Sequence, residues 1–132
     1  MKGYLDNIDE FALENENFRK VIHTTKNSQL VLMSLSSQEE IGEEVLGSDQ
    51  FIRCVLGQGK VVLGGVNHSI TEGVVVLVPA GTSHNIINTS LGGSLKIYTL
   101  YSPPGHRDGT IHPTKADAKI GESESFDGKT TE

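Results

Sequence analysis

His84 is the side chain in this sequence whose surroundings best suit it for chemistry. Gly73 is followed after five residues by Pro79-Ala80-Gly81, after two more by His84, and after a further three by Asn88. Proline ends the Val-rich run before it because it has no ladder donor, and Gly81 can supply the turn. The chain then restarts as a strand at His84, with the imidazole able to point inward, where a neutral ring is a ready metal ligand. The plainer reading is a single histidine hydrogen-bonded in a wet opening. His106 and His112 flank Arg107-Asp108-Gly109-Thr110-Ile111, a segment that can act as a lid carrying a general acid or base, or can simply be a solvated loop. His23 and His68 read as surface residues. Cys54 lies in the apolar run Phe51-Ile52-Arg53-Cys54-Val55-Leu56, where a lone thiol fills space.

Short strands must position these groups. From Phe18 onward, runs rich in Val, Ile and Leu alternate with Gly, Asn, Ser and Pro, which is the pattern of an all-β sandwich or barrel. Strands are expected over 18–24, 28–35, 41–46, 49–56, 59–63, 66–70, 74–78, 83–88 and 94–101. Gly57-Gln58-Gly59 and Gly64-Gly65 read as tight hairpin turns. Strand parity puts Glu44 with Leu46, Gln50 with Ile52, Cys54 and Leu56, and His84 with Ile86. An interior lined by such apolar groups and a few polar ones suits a small-molecule ligand. Tyr98 and Tyr101 fall on opposite faces, so at most one reaches that interior; Tyr98 is the one assigned to it. Val74-Val75-Val76-Leu77-Val78 is apolar on both faces, so its outer side calls for a cover, and a homodimer would supply one. Residues 1–17 read as an N-terminal arm, 18–118 as the barrel and 119–132 as a flexible tail poor in apolar residues.

These motifs resemble those of the cupin superfamily. The second motif matches at Gly73, Pro79, Gly81, His84 and Asn88, and the first has its frame in Gly42-Glu43-Glu44-Val45-Leu46, Gln50 and Gly57. Where that family usually offers two histidines one residue apart and then a glutamate, this chain has Glu44, Leu46 and Gln50. The run from Tyr98 through His106 to Asp117 is similar to the ending of small bacterial single-domain cupins of the RmlC-like type. The resemblance spans about residues 18–118 and implies a single antiparallel jelly-roll β-barrel. It also implies a metal site of Glu44, Gln50 and His84, with Leu46, Ile52, Cys54, Ile86 and Tyr98 lining the pocket. One imidazole, one carboxylate and one amide suit Mn, Fe, Ni or Zn. Leu46 has no lone pair, which weakens the site and leaves positions open for water or substrate.

Two functions follow from that resemblance. One is a metal-dependent enzyme, an oxygenase, isomerase or lyase, acting on a small polar or carbonyl metabolite. The other is a non-catalytic small-molecule binding module with weak or no metal binding. Composition removes other classes. The formal net charge of −6 disfavours nucleic acid and anionic lipid as partners, and no run approaches the length of a membrane span. One cysteine and no leader-like apolar segment fit a cytoplasmic protein. There is no phosphate-binding glycine loop and no Gly-x-Ser-x-Gly elbow.

Overall fold

The structure, a computed structural model, describes residues 2–132. Its elements run α1 (Ile8–Glu14), β1 (Arg19–Thr24), β2 (Gln29–Leu35), β3 (Asp49–Leu56), β4 (Gln58–Leu63), β5 (Val66–Thr71), β6 (Val75–Val78), β7 (His84–Asn88), β8 (Leu95–Ser102), β9 (Ile111–His112) and α2 (Lys115–Ile120). They form a six-stranded sheet in the order β6-β3-β8-β2-β1-β9 and a three-stranded sheet in the order β5-β4-β7. The named strand pairs are antiparallel. This is the all-β architecture expected from the strand pattern, in the jelly-roll form that the resemblance implied.

Alternation sets the layers. Val21, Val31, Met33, Ile52, Cys54, Val61, Ile86, Leu95, Ile97 and Tyr101 turn inward and make the main core. On the outer face of the large sheet, Leu32, Val55 and Tyr98 are covered by α1 through Ala12 and Ile8. The N-terminal arm is pinned by Lys96, whose buried ammonium donates to the Asn15 carbonyl and to Glu16 Oε1 at 3.1 Å. Eight of the nine expected strands are present.

The exception is 41–46, where the chain meets β7 through isolated bridges, Glu40 with Ile87 and Glu44 with His84, and through a Gly42 N–H bond to Asn85 Oδ1 rather than through a continuous ladder. Gly42, at φ 111°, interrupts the extended run there. The turn at Gly57-Gln58-Gly59 is also not a hairpin, because β3 and β4 belong to different sheets. Gly59 is needed for space rather than for φ, since a Cβ there would lie 2.4 Å from the Ile87 carbonyl oxygen. A bulge after Cys54 turns Leu56 outward, against its expected parity.

β9 and α2 were not among the expected elements. Thr114 and Asp117 cap α2 reciprocally, and Thr131 near the chain's end bonds to Thr24 (3.0 and 2.8 Å) and to Asp108 (2.6 Å). The segment read as a flexible tail therefore lies along the barrel in this structure. Among the described residues, no helix is long and apolar enough to cross a membrane.

Candidate functional site

The turn before β7 is built by the Pro-Ala-Gly run. Gly81 takes φ 83°, Thr82 N–H donates to the Pro79 carbonyl at 3.2 Å, and Gly81 N–H donates to the Leu46 carbonyl at 2.8 Å. His84 then pairs with Glu44, each backbone N–H donating to the other's carbonyl at 2.8 and 3.0 Å. Residues paired in this way carry their side chains on the same face. Glu44 and Leu46 are half-buried while Glu43 and Val45 are exposed, so the inward parity expected of them holds without a regular strand.

His84 Nδ1 lies 2.9 Å from the Thr82 carbonyl oxygen, and His84 Nε2 lies 3.0 Å from Gln50 Oε1. A carbonyl can only accept, so Nδ1 carries the proton and a neutral ring turns its Nε2 lone pair toward Gln50. Two lone-pair atoms cannot face each other bare. A proton or cation must lie between them, or the amide must turn its NH2 end inward. Ligands about 2.1 Å from a six-coordinate ion and at right angles are about 3.0 Å apart, so the separation found here fits joint ligation as well as it fits an ordinary hydrogen bond. Glu44, Gln50, His84 and Tyr101 also border one cavity of about 10 Å³. That volume is at the lower limit for one water, so the donor set suits a single small ion and excludes an organic molecule. Burial pushes the Glu44 carboxyl up, partly offset by the Arg19 and His84 side chains. The donor set fits a divalent ion as a sparse one: among the described residues no three His, Cys, Asp or Glu side chains cluster as ligands, and Gln50 is the third donor.

Outside this inner chamber the barrel opens into cavities of about 480 and 400 Å³, both bordered by Glu44, Leu46, Gly105 and His106. These are large enough for a small metabolite. Buried Gln29 fixes their rim: its amide donates to the His106 carbonyl at 2.8 Å and accepts from His106 N–H at 3.0 Å. His106 stacks edge-on against Tyr101, with ring centroids 5.4 Å apart. Burial and the Arg19 guanidinium hold its imidazole down at about 3. His106 is therefore neutral when folded and protonated below about pH 6.5 when unfolded, so it adds stability at neutral pH that is lost as pH falls from 6.5 toward 3. Denaturant melts of His106→Gln from pH 7 to 4 should show a shallower acid loss than the parent, by up to about one proton's slope, 1.4 kcal/mol per pH unit, less what partial exposure screens. Equal slopes would contradict the buried neutral ring.

Several expected site residues lie elsewhere. Tyr98 packs beneath α1 on the outer face, because β8 alternates and places Tyr101 inside. Ile86 borders the inner chamber, whereas Ile52 and Cys54 face the same way but are packed into the core below it. The Cys54 thiol is free and buried, and burial raises it. His112 sits on β9, where its Nδ1 accepts from Arg19 at 3.4 Å, and it borders neither mouth cavity. His68 is exposed as expected, but His23 is buried and stands 5.7 Å from the Tyr4 ring. Sequence reading missed Tyr101, Gln29 and Arg19. For Tyr101 the signal was the odd-numbered face of β8, shared with buried Leu95 and Ile97.

Comparison with known proteins agrees with this architecture. Residues 31–101 match the family model described as Cupin domain. An uncharacterized protein of Bacillus subtilis strain 168, YrkC, is 40% identical over 128 residues, covering 92% of this chain and 68% of its own length. An uncharacterized protein of Acanthamoeba polyphaga mimivirus is 44% identical over 113 residues, covering 82% of this chain and 70% of its own. The crystal structure of BH2720 from Bacillus halodurans superimposes with a TM-score of 0.87 at 36% identity, covering 90% of this chain and 95% of that one.

Proposed function

The chain belongs to the cupin family, and on that premise we propose that it holds one divalent metal ion at Glu44, Gln50 and His84 and presents it to a small polar metabolite entering by the mouth cavities. The observation that carries this reading is the convergence of His84 Nε2 and the Gln50 amide, 3.0 Å apart, beside Glu44 in a chamber with room for one small ion. When bound, such an ion supplies Lewis acidity and open coordination positions. The chain's own groups do the rest. Thr82 fixes the His84 tautomer, the outer-sphere contact that such ligands usually have. Gln29 holds the His106 loop at the rim, and the neutral His106 ring offers a hydrogen-bonding partner without adding charge.

Leu46 supports a second reading, a binding module without metal. It is half-buried against the core and borders both mouth cavities, so it supplies apolar surface where a fourth donor would stand. Titrating the parent and Leu46→His with Mn, Fe, Ni and Zn separates the two. The metal-site reading predicts measurable binding by the parent, tightened at least about tenfold by the added ligand, the smaller of the losses typical when a site's supporting shell is disturbed. A parent that binds none of the four ions, beside a variant that does, would favour the module.

We further propose that a second copy covers β6. This strand is an edge of the large sheet, and Val75 (47% exposed) and Leu77 (64% exposed) leave its outer face uncovered. Unpaired backbone beside exposed apolar side chains invites strand pairing. Sedimentation of the parent should give a dimer that Leu77→Lys weakens by at least about tenfold, or about 1.4 kcal/mol. A monomeric parent at high concentration would exclude it.

A further inference from the structure

Arg19 is the strongest unexplained group in the molecule. It is 9% exposed, lies on the inward face of β1 with Val21, and borders the 480 Å³ mouth cavity. Its Nε is buried with no hydrogen-bond partner among the described residues. The contacts that its guanidinium makes are weak ones, a 3.4 Å donation to His112 Nδ1 and a 5.4 Å stack over the Phe18 ring. The ion pairs among the described residues are His23–Glu132, Arg53–Asp9, Lys96–Glu16 and Arg107–Glu124, and none involves Arg19. Buried Lys96 thus has a carboxylate in contact, whereas buried Arg19 feels Glu44 only at longer range and makes no ion pair with it. A guanidinium keeps its charge, and a buried charge without a counter-ion is costly.

We propose that Arg19 is the anchor for the carboxylate of a small monocarboxylic acid bound in the mouth cavity. A guanidinium carries planar forks of paired N–H groups that match a carboxylate's two oxygens, and engaging the sealed Nε–H of Arg19 calls for a small shift of the side chain toward the cavity. The cavity wall includes Phe18, Ile41, Leu46 and Ala118, which suits an apolar body behind the acid group. Its charged lining is Arg19, Lys115 and Lys119 against Glu43, Glu44, Glu122 and Glu124. That balance gives no general attraction for anions and opposes a dianion such as phosphate, so selectivity falls to the one buried fork. This inference rests on reading the mouth as the ligand entrance and does not need the ion.

The test follows the Arg19 Nε–H signal by 15N-resolved NMR on the full chain, first with chelator and then with added diamagnetic Zn. Pyruvate, butyrate and benzoate are titrated against butyramide, benzamide and inorganic phosphate. At least one acid should shift the Arg19 signal and bind at least tenfold more tightly than its amide, with or without Zn. Arg19→Lys and Arg19→Gln should abolish that preference. If no acid moves the signal, if amides bind as well as acids, or if phosphate binds more tightly than every acid, the inference is overturned. The readout on the parent does not depend on the variants folding. Acid binding in chelator by a chain that takes up none of Mn, Fe, Ni or Zn would refute the metal reading and leave this one standing.

Discussion

His84→Ala is expected to lose divalent metal binding by at least about a hundredfold, since disturbing even the groups that support a ligand costs 10- to 100-fold. The side chain is the one nitrogen donor in the chamber, and its backbone pairing with Glu44 does not depend on the ring. The barrel should therefore still form. It should be less stable by about 1–3 kcal/mol, because buried Gln50 loses its partner. Isothermal titration with Mn or Zn beside a thermal melt separates the two effects. Unchanged affinity would remove His84 from the site and leave it as a hydrogen-bonded barrel histidine.

Asn88→Asp is expected to be the more damaging change to the fold. Asn88 is 1% exposed, and its Nδ2 donates to the carbonyls of Leu35, Ser36 and Gly93 at 3.1, 3.0 and 2.8 Å. Its Oδ1 accepts from Ser90 N–H at 2.8 Å. An aspartate of nearly the same shape turns the donor into an acceptor facing those carbonyls. Losing about two such bonds at about 1–3 kcal/mol each amounts to about 4 kcal/mol, or about 10–15 °C in Tm for a chain of this size. Differential scanning calorimetry reads that loss. A melt within a few degrees of the parent would show that the bonds to these carbonyls are not what holds the 88–93 turn. The residue at this motif position is thus a structural staple, where spacing alone grouped it with the chemistry.

The site was legible in sequence where period and parity governed it. Pro79, Gly81 and His84 stand as their spacing implied, and Glu44, Gln50 and His84, which the family resemblance grouped and alternation alone could not, border one chamber. The same rule was available for β8 but could not choose between its faces, because Tyr98 and Tyr101 are both amphipathic and both can be covered. The cover on Tyr98 is α1, whose weak apolar pattern gave little warning. Arg19 and Gln29 were illegible for a different reason. Both are polar residues in strands that read as ordinary barrel wall, and their roles come from β9 and the 105–106 loop arriving from far along the chain. α2 did have a local signal, Thr114 followed three residues later by Asp117, a capping pattern hidden behind Pro113. The fold of 41–46 escaped because two bridges and a left-handed glycine mimic a strand in pattern without forming one.

The most direct test of the central claim is elemental analysis of the full chain purified without added ions, followed by one titration with Mn, Fe, Ni and Zn after chelation. The account predicts that at least one of these ions binds at one per chain in competition with chelator. A chain that arrives empty and takes up none of the four would contradict it, and the amide of Gln50 would then be turned to donate to His84 in a barrel that binds its ligand without metal.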